Sequence, residues 1–257
     1  MFEVNLVVSI KDIYELRGKH MKSLPYAQEY YIEDMVKSSS CYQIYLNSNL
    51  IGYFFVTSEK VLVEFYLEKK EMILSQYIFK FLIQKEYFTF AEVKSFDYLF
   101  MALCLDFKKN SSCTGYLFRD FNEVHFSLSI YDNLLFQIAV QEDMAKITEI
   151  SEDFFHQLER NIYRQEVFTL YSNNILLGAG ICQSIFGSLV CCDIGMIVSK
   201  DHRNKGVGTY IISKLKEHCI SNGLIPICGC SYYNYSSKKT LEKAGFITNH
   251  RIVKFEF

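Results

Sequence analysis

The sequence predicts a mixed α/β fold, of the α+β kind, built from two similar halves. Segments with the alternating or continuous apolar pattern of strands are interspersed with segments of helical spacing in both halves. Each half also has a polar turn between two strand-like segments, at Asn47–Asn49 and at Ser172–Asn174. With 257 residues, of which 50% are hydrophobic and 22% charged, the chain is long enough and apolar enough for two ordinary packed domains.

The first half begins with two helical patterns, and Pro25 marks the start of the second of them. The run Ser38–Ser40 ends that pattern, and the polar break Lys69–Glu71 separates the later strands from the next helix. The predicted order is helix 11–22, helix 26–38, strand Cys41–Leu46, strand Leu50–Val56, strand Val61–Leu67, a helix through Leu74, Ile78, Phe81 and Leu82, strand Phe88–Phe96 and helix Tyr98–Phe107.

The second half follows the same plan, with glycines after two of its helical patterns. Asn222 and Gly223 end one helix, and Gly245 ends the last one. The predicted order is helix Gln141–Arg160, strand Val167–Tyr171, strand Ile175–Cys182, strand Leu189–Val198, a helix from Gly206 to Cys219, strand Leu224–Ser231, helix Ser236–Lys243 and strand Ile252–Phe257.

The order of predicted helices and strands is similar in the two halves, which indicates a weak internal repeat with a junction expected within residues 108–132. We therefore predict domains at residues 1–125 and 133–257. The repeat differs at one place that bears on function: Arg203–Gly208 carries two glycines, whereas Lys69–Glu71 carries none. The alternative is that any mixed α/β chain can be aligned this loosely.

Composition and charge exclude several kinds of partner. A formal net charge of −2 gives no sign of a nucleic-acid surface, and no apolar run approaches the ~18 residues of a membrane span. The nine cysteines lack the spacing of a disulfide framework or a zinc site, so we expect no metal, and we interpret Cys191-Cys192 and Cys228-x-Cys230 as buried small side chains. Reduced thiols and the absence of a leader pattern predict a cytoplasmic protein.

The stretch most informative about function runs from an apolar strand through a glycine loop into a helix. Ile194–Val198 is strand-like, Lys200–Lys205 is a basic turn, and Gly206 and Gly208 open a helical pattern. Such a loop can bind phosphate through free N–H groups and the positive end of the helix. It is not a dinucleotide fingerprint, because Ile211 stands where the third glycine belongs, and no Walker sequence is present. An ordinary strand-to-helix turn is the alternative.

Two motifs in this order resemble a known family. The first is Arg-x-x-Gly-x-Gly at Arg203–Gly208, and the second is Asn234 followed by Leu241-Glu242-Lys243-Ala244-Gly245-Phe246. Together they resemble the GNAT superfamily of acyl-CoA-dependent N-acetyltransferases over roughly residues 140–257. The resemblance implies that each half is a mixed, mostly antiparallel sheet flanked by helices, the first half being a degenerate repeat. It also implies transfer of an acetyl group from acetyl-CoA, as co-substrate, to a primary amine by direct attack.

The resemblance places the coenzyme on the second half. Pantetheine amides would pair with the outer edge of the strand that ends at Val198, and the pyrophosphate would lie on the glycine loop. We expect both Gly206 and Gly208 to be needed for space and for positive φ. The residues expected to hold acetyl-CoA are Met196, Ile197, Val198, Arg203, Asn204, Lys205, Gly206, Val207, Gly208, Asn234 and Ser237.

The chemistry needs a base, because an amine with a pKa near ~10.4 must lose a proton before it attacks. Asp193 is the first candidate, since it lies in the strand beside the coenzyme edge, and Glu166 at the start of another strand is the second. Asp193 could instead be a surface carboxylate or could pair with a charge on the substrate. No cysteine nucleophile is expected.

One departure from the family concerns the group that protonates the leaving thiolate. Leu241 stands where the family usually has a tyrosine, and Tyr232 and Tyr233 are the nearby candidates, with Tyr235 and Ser236 beside them. This departure keeps two other hypotheses open. One is a non-catalytic acyl-CoA-binding or regulatory protein. The other is an interaction protein in which the first half only supports the second.

The first half has a candidate role in acceptor recognition. Lys94, Ser95 and Asp97 end its penultimate strand, where the second half has Ser231–Asn234. Because ligand sites favour domain interfaces, we expect the first half to shape the acceptor pocket, with Asp97 or Glu64 meeting a cationic amine. The alternative is that these residues cap strands at the surface. The acceptor's identity and the oligomeric state, which includes the option of a homodimer, stay open.

Overall fold

The structure, a computed structural model, describes residues 2–7 and 10–257. The first half contains β1 (Phe2–Leu6), α1 (Tyr14–Ser23), α2 (Tyr30–Lys37), β2 (Ser40–Leu46), β3 (Asn49–Val56), β4 (Val61–Leu67), α3 (Ser75–Gln84), β5 (Phe90–Lys94), α4 (Tyr98–Phe107) and β6 (Asn110–Phe118). The second contains β7 (Asp120–Phe121), β8 (Leu134–Ile138), α5 (Met144–Ser151), α6 (Leu158–Tyr163), β9 (Val167–Ser172), β10 (Ile175–Ser184), β11 (Cys191–Val198), α7 (Val207–Ser221), β12 (Ile225–Ser231), α8 (Tyr235–Lys243), β13 (Phe246–Ile247) and β14 (His250–Glu256). Short 3₁₀ turns lie at Ile10–Ile13, Lys69–Leu74, Gln141–Asp143 and Lys200–His202.

Twelve strands form one continuous sheet in the order β1-β2-β3-β4-β5-β14-β6-β12-β11-β10-β9-β8. Within the described residues, only the β4–β5 and β11–β12 pairs are parallel, and every other neighbouring pair is antiparallel. The predicted fold class is therefore confirmed: two similar halves, each a mixed and mostly antiparallel sheet flanked by helices.

The halves are joined by an exchange of their last strands. β14, the final strand of the second half, pairs with β5 of the first half through Phe90–Lys94. β6, the final strand of the first half, pairs with β12 of the second half through Gly115–Phe118. The two exchanged strands also pair with each other along their length. Each half therefore depends on a strand supplied by the other, and the limits 1–125 and 133–257 stay a prediction.

Five strands lie where the sequence indicated none, and one predicted helix is broken. The strands that were not predicted are β1, β6, β7, β8 and β13, and β6 occupies part of the segment assigned to the junction. The helix predicted at Gln141–Arg160 is instead a 3₁₀ turn followed by α5 and α6. The break begins at Glu152, whose φ of 48° ends the helical conformation. Residues 122–133, between β7 and β8, carry neither helix nor strand.

The core of the second half lies between α7 and the sheet. Ile211, Ile212 and Leu215 on α7 are fully buried, together with Leu177 on β10 and Ile194 on β11. Burial of one such side chain stabilises the fold by about 1.5–3 kcal/mol, so this contact fixes α7 on the sheet. No helix in the described part of the chain is long and apolar enough to cross a membrane.

Candidate active site

The two parallel strands of the second half diverge at Asp193. β11 pairs with β12 only through Cys191–Asp193, opposite Ile225–Ile227. Beyond that point β12 pairs with β6, while β11 keeps only its β10 partner as far as Val198. Met196, Ile197 and Val198 thus lie on a strand edge that has no strand partner among the described residues. An open edge of this kind offers backbone groups to an extended ligand.

The glycine loop leads from this edge into α7. Gly206 immediately precedes the helix with a φ of 83°, the left-handed region that favours glycine. No side chain of the described chain caps α7, so the N–H groups of its first turn, which begins at Val207, are available to a ligand. The connection between the halves also passes here, because a Cβ at Gly206 would lie 3.1 Å from Cζ of Phe126.

The expectation of positive φ at Gly208 is wrong. Gly208 lies inside the first turn of α7, and its φ is not among the positive ones. A Cβ at Gly208 would instead meet Met196 Cε and Sδ at 3.1 Å and Thr240 Cγ2 at 3.2 Å. Glycine is thus favoured at this position by the close approach of neighbouring side chains, which are flexible, and not by backbone conformation.

The basic residues of the loop are partly occupied by protein groups. Arg203 Nε donates to the carbonyl oxygen of Val198 at 3.1 Å, and its Nη2 lies 3.4 Å from Glu152 Oε1. Lys205 Nζ donates to the carbonyl oxygen of Asp201 at 2.9 Å and is exposed. Asn204, between them, has a φ of 61°. The loop therefore keeps a positive surface, although Glu152 offsets part of the charge of Arg203.

Asn234 and Ser237 lie at the start of α8. The Asn234 side-chain oxygen accepts a hydrogen bond from the Ser237 N–H at 3.0 Å, which caps the helix. Asp97 does the same for α4 by accepting from the Phe100 N–H at 3.4 Å. The cap is thus a feature of both halves, and a coenzyme role for Asn234 and Ser237 stays a prediction.

A cavity of about 550 Å³ opens where β11 and β12 diverge. Its walls come from α2, β6, the segment between α5 and α6, α6 itself, β10, β11, β12 and β14. Its lining residues are Glu29, Tyr30, Tyr31, Asp34, Thr114, Gly115, Tyr116, Leu117, Phe154, Phe155, His156, Gln157, Asn161, Ile181, Gln183, Asp193, Ile194, Gly195, Gly229, Cys230, Ser231 and Ile252. The first half therefore supplies two of these walls, through α2 and through β6.

Asp193 lies in this cavity at the point of divergence. Its Oδ2 accepts a hydrogen bond from the Tyr30 N–H at 2.7 Å, which ties the carboxylate to α2. Burial raises the pKa of Asp193 to about 6, although the Tyr30 N–H and the charge of Arg119 favour the ionised form, and the charge of Glu29 opposes it. A carboxylate with this pKa is ionised in most molecules at neutral pH and can still accept a proton.

The other predicted catalytic residues are placed differently. Glu166 is not a lining residue of the cavity; burial raises its pKa, and Arg164 Nη1 lies 3.6 Å from its Oε1. Neither Tyr232 nor Tyr233 is a lining residue. Tyr232 stacks on the cavity residue Tyr116 with ring centroids 4.8 Å apart, whereas the side chain of Tyr233 is 71% exposed. The side chain of Leu241 is 3% exposed and packs in the core beneath α8.

Comparison with known proteins identifies both halves. A family model described as an acetyltransferase (GNAT) domain matches residues 9–121, and one described as the acetyltransferase (GNAT) family matches residues 134–246. The chain is also 31% identical over 137 residues to the "Probable N-acetyltransferase YjcK" of Bacillus subtilis, covering 50% of the chain and 68% of that protein.

The chain belongs to the GNAT acetyltransferase superfamily. It is a tandem member with two repeats, as the sequence predicted. A second B. subtilis relative, "Uncharacterized N-acetyltransferase YjdG", is 35% identical over 66 residues, which span only 39% of its length and 25% of this chain. A solved GNAT-family acetyltransferase from Colwellia psychrerythraea matches with a TM-score of 0.88 at 25% identity, covering 99% of both chains. A tandem GNAT protein of the clavulanic acid biosynthesis pathway shares the fold, with a TM-score of 0.59 at 10% identity over 99% of this chain and 98% of its own.

The first GNAT repeat has a similar divergence, but its own side chains fill it. β4 pairs with β5 only at Val61 and Leu62, and Glu64 lies just beyond. The Glu64 side chain is 0% exposed and accepts hydrogen bonds from Arg17 at 2.6 and 3.0 Å and from Gln28 at 2.8 Å. Burial alone would raise the pKa of Glu64, but the charge and hydrogen bonds of Arg17 lower it to about 2.

This network corrects the expectation that Asp97 or Glu64 meets an amine in the pocket. Asp97 is buried beside His20, with Oδ2 3.5 Å from His20 Nε2, and neither carboxylate lines the cavity. Lys94 is buried in the same network and donates to Gln28 Oε1. The first repeat does shape the cavity, but through the start of α2 and through β6.

The residues that sequence reasoning missed come mainly from irregular or exchanged segments. Glu29 precedes α2, Tyr116 is on the unpredicted strand β6, and His156 lies in the break between α5 and α6. The closest signal in the sequence is the cluster of carboxylates and tyrosines from Glu29 to Asp34, which also suits an ordinary surface helix.

Proposed function

We propose that the second repeat binds acetyl-CoA and that this protein transfers the acetyl group to a primary amine by direct attack. One observation carries the proposal: the open edge of β11 runs from Asp193, at the wall of the cavity, to Val198, where the loop to the uncapped start of α7 begins. The bound coenzyme, the base and the cavity for the acceptor would then be adjacent. Membership of the GNAT superfamily supports the same activity.

The residues present suit the parts of the coenzyme. Backbone groups of Met196–Val198 can pair with pantetheine amides as an added strand would. The N–H groups at the start of α7, with the positive end of the helix, can hold pyrophosphate, and Lys205 adds charge beside them. The first repeat has Lys69–Leu74 as a 3₁₀ turn in place of this loop, and its cleft is filled by Arg17 and Glu64, so we propose one coenzyme per chain.

Asp193 is proposed as the base. It accepts one proton from the protonated acceptor amine, and the neutral nitrogen then forms a bond to the thioester carbonyl carbon as the carbon–sulfur bond breaks. The leaving thiolate takes up a proton from its acid, and the second proton that the nitrogen loses on becoming an amide restores that acid. The Tyr30 N–H fixes the carboxylate in the cavity, and a pKa of about 6 leaves it ionised at neutral pH. Glu166, outside the cavity lining, stays the second candidate.

The proton for the thiolate is assigned to the pair Tyr116 and Tyr232. Their rings stack, and Tyr116 lines the cavity beside Cys230, its partner across the β6–β12 pair. Tyr116 is nearly buried, and burial together with the neighbouring Tyr232 raises its pKa, so it keeps its proton at neutral pH. Tyr233 is the less suitable candidate because it is exposed to solvent.

The burial of Leu241 favours one alternative, a non-catalytic protein that binds or senses acyl-CoA. In this tandem GNAT the position of the usual tyrosine belongs to the apolar core, and no hydroxyl stands there. The two functions differ in turnover and not in coenzyme binding.

Calorimetry with acetyl-CoA and a thiol-release assay with a panel of primary amines test the proposal. We expect one coenzyme bound per chain and thiol release that depends on both the amine and the protein. Binding without release for any amine would favour the alternative, and the absence of binding would contradict both.

A further inference from the structure

The walls of the cavity are acidic. Three carboxylates line it, Glu29, Asp34 and Asp193, and none of the described residues that line it is a lysine or an arginine. Glu29 and Asp34 come from the first repeat, so the acidic character is not a feature of the coenzyme-binding half alone. Such a wall favours a cationic acceptor and repels an anionic one.

Glu29 has a carboxylate oxygen that is without a partner among residues 2–7 and 10–257. The residue is 2% exposed, and its Oε2 pairs with Arg119 Nη2 at 2.8 Å. Arg119 donates its other hydrogen bonds to carbonyl oxygens, those of Ala27, Phe118 and Cys228. Oε1 of Glu29 is buried and accepts no hydrogen bond from any residue that the structure describes. Because buried polar atoms are nearly always satisfied, an unpartnered oxygen on a residue that lines the cavity points to a donor from outside the described chain.

Aromatic rings complete the acidic wall. Tyr30, Tyr31 and Tyr116 line the cavity with Phe154 and Phe155, and ring faces attract ammonium groups. One ring is already in such a contact, since Lys37 Nζ lies 4.2 Å from the centroid of Tyr30. Lys37 also lies 3.3 Å from Asp34 Oδ1 in an exposed ion pair. It offsets part of the charge of Asp34 and leaves Glu29 as the buried acceptor.

We infer that the acceptor is a small molecule with two amino groups, one that reacts beside Asp193 and one that stays protonated at Glu29. The inference rests on the proposed acetyl transfer and names its substrate class. The reacting nitrogen must be neutral when it attacks, so its partner Asp193 serves as a base and not as a permanent counter-ion. A second, retained ammonium supplies the donor that Glu29 Oε1 lacks. An acceptor with a carboxylate in that place would be repelled.

Three probes of similar length differ in the group at the far end from the reacting amine, which is an ammonium in 1,4-diaminobutane, a methyl group in butylamine and a carboxylate in 4-aminobutyrate. For the full chain with acetyl-CoA we expect kcat/KM for the diamine to exceed that for butylamine by about tenfold or more, because a charge-assisted hydrogen bond at a buried site is worth at least that factor. 4-Aminobutyrate is expected to be the poorest acceptor. Equal values for the three probes would overturn the inference and leave the acetyl transfer intact.

Variants test the role of Glu29 directly. Glu29→Gln keeps an oxygen for Arg119 but removes the charge, and it is expected to lower the ratio of diamine to butylamine kcat/KM towards one. Glu59→Gln, at an exposed carboxylate between β3 and β4, is the matched control and should keep the wild-type ratio. If Glu29→Gln does not fold, Asp34→Asn on the same wall should lower the ratio in the same direction.

Binding separates the inference from the proposed function. Calorimetry with each probe alone should give the tightest binding for 1,4-diaminobutane even if no amine is acetylated, in which case only the acetyl transfer fails. A diamine that binds no more tightly than butylamine, or a ratio unchanged in both variants, contradicts the inference.

Discussion

The base assignment makes the sharpest prediction, which concerns Asp193→Asn. The substitution preserves shape and an oxygen that can accept from the Tyr30 N–H, but it removes the site that takes the proton. General-base assistance is worth about 10²–10⁴-fold, so kcat should fall within that range. The dissociation constant for acetyl-CoA should change little, because the coenzyme is proposed to lie along Met196–Val198 and the glycine loop.

The pH dependence follows from the raised pKa of Asp193, about 6. The ionised fraction is roughly nine-tenths at about pH 7 and roughly one-tenth at about pH 5. The ratio of wild-type to variant kcat/KM should therefore fall about tenfold between those pH values. Ionisation of the acceptor amine affects both proteins equally, so it cancels from the ratio. The assay is thiol release at constant ionic strength, with the exposed carboxylate variant Glu59→Gln as the control and Glu166→Gln as the test of the second candidate base.

Folding of the variant can be checked by its thermal midpoint. A carboxyl whose pKa is raised in the folded state lowers stability as pH rises from its unfolded value to about 6, because its ionised form is disfavoured there. Asp193→Asn lacks this effect, so its midpoint relative to wild type should rise over that range. A variant that folds and keeps turnover within about threefold of wild type would refute the role of Asp193 as the base.

Three further predictions test the loop, the tyrosines and the exchange of strands. Gly206→Ala should weaken acetyl-CoA binding, as measured by calorimetry. The control Gly223→Ala also changes a glycine with positive φ, but at the far end of α7, so it should lower only the thermal midpoint, by the equivalent of about 1–2 kcal/mol. Equal effects of the two variants on binding would contradict the loop assignment. In the thiol-release assay, Tyr232→Phe should lower kcat about tenfold or more with coenzyme affinity preserved, whereas Tyr233→Phe should leave kcat unchanged. An equal loss of kcat in both variants would argue against the Tyr116–Tyr232 pair. The truncated chain 133–257 should be insoluble, or its circular dichroism spectrum should be that of an unfolded chain, because β12 and β14 both lose their partner β6. A stable, folded fragment would show that the exchanged strand is dispensable.

Several parts of the candidate site could be predicted because their signals are local. The strand that ends at Val198, the glycine loop and the start of α7 are consecutive in the chain, so one short stretch carries their pattern. The same holds for Asp193, which the sequence placed beside the coenzyme edge. Gly206 has the positive φ that was expected, whereas Gly208 does not, because its constraint is set by Met196 and Thr240 from other elements.

Other features depended on contacts between distant residues. Glu64 and Asp97 stand at positions that suggested an acceptor site, yet Arg17 and His20 from α1 bury both of them. Nothing in the spacing along the chain could indicate that α1 folds over the end of β4. The first-repeat contact to Asp193 is made instead by the Tyr30 N–H, from a residue more than 160 positions away in the sequence.

The sequence by itself determined that this chain contains two α/β repeats, that the second carries the glycine loop, and that its family is that of GNAT acetyltransferases. Periodicity and short motifs suffice for these because each lies within one element or one turn. Only the tertiary structure decided that the repeats exchange their last strands, β6 and β14. This exchange joins the repeats into one sheet, and α2 of the first repeat then lies at the cavity. Strand partners are chosen by hydrogen bonding and burial across the whole sheet, and such long-range pairings leave no periodic trace in either strand.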